Sequence, residues 1–131
     1  FSHENAQRAL RYAPYARKQT TQLPSKMRFV SAQFAAVLNN DLWVQLGSSA
    51  NEAAASLFDA VHSISSLELN DSPPVNSLYP TISPAHAEQL REVSFFWDWE
   101  PARHRVRWMT SWDTELSDVK AFADAVYRIV T

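Results

Sequence analysis

Two stretches near the end of the chain, Ser94-Phe95-Phe96-Trp97-Asp98-Trp99 and His104-Arg105-Val106-Arg107-Trp108-Met109, constrain the fold more than any other part of the sequence. Both are rich in bulky apolar residues. Between them, Glu100-Pro101-Ala102-Arg103 suits a type I turn with proline at its second position. The spacing predicts an antiparallel hairpin that sets Trp99 opposite His104, Trp97 opposite Val106 and Phe95 opposite Trp108 on a core face. Asp98 then lies opposite Arg105, and Phe96 opposite Arg107, on the other face. In this register Arg105 has a carboxylate across the strand, an exposed ion pair worth about 0.2–1 kcal/mol, whereas Arg107 meets only Phe96. A guanidinium near the centre of a sheet is costly unless it reaches water or binds an anion. Its planar fork matches a carboxylate two for two. Arg107 is thus a candidate carboxylate clamp, to be weighed against the plainer reading of a solvated outer face.

The rest of the chain supplies helices. Residues 3 to 19 carry Ala6, Leu10 and Ala13 on one face, with Pro14 as a kink or stop. Leu23-Pro24-Ser25 reads as the start of a helix over 26 to 38, whose Met27, Val30, Phe34, Val37 and Leu38 form an apolar stripe. Asn39-Asn40-Asp41 breaks the chain before a helix over about 42 to 64, with Leu46, Ala50, Ala53, Leu57, Val61 and Ile64 on its inner face.

Strands are expected at Leu67 to Leu69 and at Asn76 to Ile82, the second reduced to an edge or broken strand by Pro80. Asn70 to Pro74 reads as a turn. Ser83-Pro84 opens a brief helix to about Glu92. Asp113 or Thr114 caps a last helix whose Leu116, Val119, Phe122, Ala123, Val126 and Val130 face inward. Helices followed by three or four antiparallel strands flanked by helices make an α+β layer.

Composition narrows the function classes. The single glycine, Gly47, stands where an average usage of roughly 7% would give about nine. Neither a Walker loop nor a dinucleotide fingerprint can be written with one glycine. The chain has no cysteine, so thiolate chemistry is excluded and a reducing cytoplasm is the default expectation. It has no apolar run of membrane length. Residues 1 to 28 hold six basic residues against Glu4, and the remainder six against thirteen acids. With few aromatics interleaved, the basic arm suits an acidic neighbour or a phosphate-bearing cofactor better than nucleic acid. The glycine count and an opening without methionine lead to the expectation of a piece of a larger protein.

No complete catalytic set is legible. Lys26, in Ser25-Lys26-Met27-Arg28, has the residue type of a Schiff-base lysine but sits among cations at an ordinary helix start. His3, His62, His86 and His104 show no metal-ligand spacing, and no metal is expected. Asp113, Glu115 and Asp118 suit the positive end of the last helix rather than a paired-carboxylate site.

An ordered set of motifs nevertheless carries a family likeness. Arg17-Lys18-Gln19, Ser25-Lys26-Met27-Arg28-Phe29-Val30-Ser31-Ala32-Gln33-Phe34, Asp41-Leu42-Trp43, Pro74-Val75-Asn76, Val106-Arg107-Trp108-Met109 and Trp112-Asp113-Thr114 together resemble the C-terminal part of low-specificity L-threonine aldolases. These are pyridoxal-phosphate enzymes of the aspartate-aminotransferase fold, grouped with β-eliminating lyases. The likeness runs from about Tyr15 to Val130.

The resemblance implies residues 1–25 as a basic helical connector from a large cofactor domain and 26–131 as the small C-terminal domain of a fold-type I enzyme. It also implies a homodimer or homotetramer acting on a small amino acid. Arg107 takes the place of the arginine that holds the substrate α-carboxylate, and Arg28 that of a Met-Arg arginine near the active site or the subunit boundary. No residue matches the family's Schiff-base lysine, which lies upstream of a segment like 1–28, so the resemblance implies no activity for these residues alone. Threonine would yield glycine and acetaldehyde in the full-length parent. The alternatives are another fold-type I enzyme, such as a β-eliminating lyase or aminotransferase, and a non-enzymatic α+β binding or dimerisation module.

Overall fold

A computed structural model describes residues 3–20, 26–69 and 71–131. The chain divides into two compact units, residues 1–40 and 41–131. In the first, α1 (His3–Gln19) runs through Pro14 without ending there, and α2 (Met27–Leu38) follows. The expected cap at Ser25 lies outside the described residues. Neither helix buries a residue: Val30, Phe34, Val37 and Leu38 of the apolar stripe remain exposed. A 3-10 turn at Asn39–Asp41 leads out of α2, with Asn40 and Asp41 at φ 54 and 55. Asn and Asp tolerate that left-handed conformation better than most residues.

The second unit holds the core. α3 (Leu42–Val61) points Ala50, Ala53, Leu57 and Val61 inward, as its spacing predicts, and buries Ala54 as well, with Leu46 half-buried. β1 (Ser77–Leu78) is followed by α4 (Pro84–Arg91), β2 (Trp97–Glu100), β3 (Arg105–Met109) and α5 (Leu116–Val130). The sheet is antiparallel with order β1-β3-β2. Its inward residues Leu78, Val106 and Trp108, with Phe96 just before β2, join Leu57, Val61, Leu90, Val119 and Val126 in one cluster. Trp108 is its centre, edge-on to Phe122 at 5.1 Å and to Phe96 at 6.2 Å between ring centroids. The architecture is therefore α+β, with three helices covering one face of a small sheet.

Several local expectations change. Leu67 to Leu69 forms no strand and contributes only a bridge between Glu68 and Thr81. The strand expected over 76–82 is cut to Ser77–Leu78 at the sheet edge, and Val106 N–H donates to the Pro80 carbonyl at 3.0 Å. Ser83 caps α4 by accepting from His86 N–H at 3.2 Å. α5 is capped by Glu115, in a reciprocal box with Asp118, and not by Asp113 or Thr114. Thr114 Oγ1 instead accepts from Ser111 N–H at 2.8 Å, and Leu116 is exposed.

The largest correction concerns the hairpin. Trp97 pairs with Arg107, Asp98 with Val106 and Glu100 with Arg105, so Trp99 is the extra residue of a bulge. The turn is a 3-10 segment, Pro101–Arg103, closed by His104 at φ 54. A one-residue slip moves every side chain of a strand to the opposite face. Phe96, just before β2, is consequently the core residue of this segment, and Phe95, Trp97 and Trp99, expected inside, lie outside at 67%, 71% and 52% exposure.

Candidate functional site

Alternation along β3 still sends Val106 and Trp108 inward and Arg105 and Arg107 to the open face of the sheet. The bulge then decides what surrounds the arginines. Glu100 on the bulged strand, not Asp98, receives Arg105, with Nη1 donating to Oε1 at 3.0 Å. Asp98 is taken by Arg91 of α4, which also holds Glu88. Arg103 reaches Glu100 at 3.4 Å. Three arginines of this region thus have a carboxylate, and among the described residues Arg107 has none.

Arg107 is instead surrounded by neutral groups. Its Nε and Nη2 both donate to Ser77 Oγ, each at 3.2 Å, and Nη2 also reaches Met109 Sδ at 3.2 Å. The guanidinium carbon lies 5.8 Å from the centre of the Trp99 ring. Tyr79 packs on Trp99 at 5.1 Å, and Phe95 meets Trp97 edge-on at 4.9 Å. Phe95, Phe96, Trp97, Met109 and Arg107 line a depression of about 150 Å³. The result is a half-buried cation with aromatic walls and an uncancelled charge, a setting in which an anion is held more strongly than in open water.

The sequence predicts the outward direction of Arg107 but not its neighbours Ser77, Trp99 and Met109. Ser77 comes from a strand joined to β3 over some thirty residues of chain, a pairing that no local pattern encodes. Trp99 is turned to this face by the bulge. Asn76 and Thr110 hold the end of the β1–β3 pair: Asn76 Nδ2 donates to the Thr110 carbonyl at 2.7 Å, and Thr110 Oγ1 donates to the Ala50 carbonyl at 2.7 Å.

Arg28, the second candidate, lies in the first turn of α2 in the first unit, exposed, with its guanidinium carbon 4.8 Å from the Phe29 ring centre. Lys18, Lys26 and Lys120 are all exposed. None is enclosed in an apolar pocket of the kind that shelters a Schiff-base lysine, so the described residues do not by themselves fit a covalently held pyridoxal phosphate. Among the described residues no group of His, Asp and Glu is placed to hold a metal, and no helix is long and apolar enough to cross a membrane.

No family model matches this chain. It is 31% identical over 109 residues to a low-specificity L-threonine aldolase of Pseudomonas aeruginosa, an alignment covering 83% of this chain and 32% of that protein. A low-specificity L-threonine aldolase of a Pseudomonas species (strain NCIMB 10558) is 31% identical over 117 residues, covering 89% of this chain and 34% of the relative. The chain therefore spans about a third of the length of these curated relatives. Among solved structures, a threonine aldolase of Leishmania major superposes with a TM-score of 0.67 at 24% identity, over 76% of this chain and 30% of that one, and shares its fold.

Proposed function

We propose that this chain, whose homologues over most of its length are low-specificity L-threonine aldolases, is the substrate-clamping part of a pyridoxal-phosphate-dependent lyase that cleaves L-threonine to glycine and acetaldehyde. Arg107 carries the reading: its charge stands on the open face of the sheet with no carboxylate partner among the described residues, while Arg91, Arg103 and Arg105 are all paired. In this role Arg107 binds the α-carboxylate of the amino acid. Fixing that end of a small substrate orients its Cα–Cβ bond for cleavage, and such positioning can account for a large part of a rate enhancement.

In this reading residues 1–25 are the connector and 26–131 the small domain. The cofactor is held by a lysine outside the described residues, and the complete protein is a homo-oligomer in which Arg28 lies near the active site or the subunit boundary. These residues alone would have no lyase activity, because none of them matches the family's Schiff-base lysine. The test is cleavage of L-threonine by the full-length protein and its Arg107→Ala variant, followed by acetaldehyde release. The reading expects a large loss of kcat/KM in the variant. An unchanged KM and turnover would refute it.

A further inference from the structure

Among the described residues, Ser77 is the one polar side chain on the open face that holds Arg107 through two donors. It lies on β1 opposite Met109, diagonal to Arg107, and is only 2% exposed. Its Oγ accepts from Nε and Nη2, one edge of the guanidinium fork. The other edge, between Nη1 and Nη2, meets among the described residues only the Met109 thioether, a weak acceptor.

We propose that Ser77 is a positioning residue for substrate binding: it pins the Nε–Nη2 edge of Arg107 so that the Nη1–Nη2 edge is presented to the substrate α-carboxylate, which displaces the Met109 sulfur. The inference rests on Arg107 being the carboxylate clamp. Its chemical logic lies in the neutrality of the hydroxyl. An aspartate at this place would fix the arginine equally well but would cancel the charge the substrate needs. An alkyl side chain would leave the charge but not the direction. A long, rotamer-rich side chain that is ordered before the ligand arrives avoids an ordering cost of roughly two- to tenfold in affinity.

The test uses the full-length protein with cofactor, measuring KM and kcat for L-threonine and direct binding of glycine. Ser77→Ala is expected to raise KM and weaken glycine binding by roughly three- to tenfold, with kcat changed less than about twofold, as loss of uniform binding requires. Because Ser77 is buried, the isosteric pair Ser77→Thr and Ser77→Val serves as a second comparison. Thr, which retains the oxygen, should bind glycine more tightly than Val by the same factor even if both variants are less stable.

In an Arg107→Ala background the Ser77 substitutions should have no further effect on affinity. If Arg107→Ala weakens binding while Ser77→Ala leaves it unchanged, or if Ser77→Ala has its full effect without Arg107, the positioning role is overturned and the clamp stands. If Arg107→Ala itself changes neither affinity nor turnover, the clamp reading falls first.

Discussion

Phe96 and Trp97 are neighbours of similar chemistry at the start of β2, and the bulged register gives them opposite fates. Phe96 is 5% exposed and packs on Trp108, whereas Trp97 is 71% exposed. Phe96→Ala removes an aromatic ring from the centre of the core, a change that costs about 3–5 kcal/mol. Trp97→Ala removes mostly solvated surface and one edge contact with Phe95, which points to a cost of about 0.5–1.5 kcal/mol at most. With a urea slope of about 1 kcal/mol per molar for a domain of this size, the first substitution moves the midpoint by about 3–5 M or leaves the protein unfolded in water. The second moves it by about 1.5 M or less. The assay is urea denaturation of the 131-residue chain followed by far-UV circular dichroism. If Trp97→Ala were the more damaging, strict alternation with Trp97 in the core would be correct and the bulge at Trp99 wrong.

Three further substitutions probe the second unit. An added Cβ at Gly47 meets nothing within 4 Å, so Gly47→Ala should stabilise α3 by about 0.5–1 kcal/mol, seen as a raised denaturation midpoint. Ser83→Ala removes the cap of the short helix α4 and should cost about 1 kcal/mol in the same assay. Thr110→Val keeps the shape but leaves the Ala50 carbonyl without its side-chain donor, with an expected loss of about 1–3 kcal/mol. A neutral result there would mean that the bond contributes nothing net.

The helices were largely legible because their apolar spacing is set within a few residues: α3 and α5 bury most of the predicted face, and Ser83 caps α4 as its position before Pro84 suggests. The hairpin was legible in existence but not in register. Its register depends on His104 adopting a left-handed conformation and on an extra residue at Trp99, and neither alters the local hydrophobic pattern. Phe95-Phe96-Trp97 has no polar residue to mark which side faces out, so alternation alone could not choose between its two faces. The direction of Arg107 survived the error because β3 is fixed by its own Val106 and Trp108. The partners of Arg107 were hidden for a different reason: Ser77 arrives through a non-local pairing, while the Asp98 expected for Arg105 is held by Arg91 and Arg105 takes Glu100.

The central claim is that Arg107 recognises a carboxylate, and the most direct measurement is the ratio of affinities for L-threonine and L-threoninamide in the full-length protein and its Arg107→Ala variant. If the guanidinium holds the α-carboxylate, the wild type should prefer the acid by a margin on the order of a hundredfold, as for truncation of a hydrogen-bonded charge pair. The variant should lose that preference. Retention of the same preference after removal of Arg107 would contradict the account.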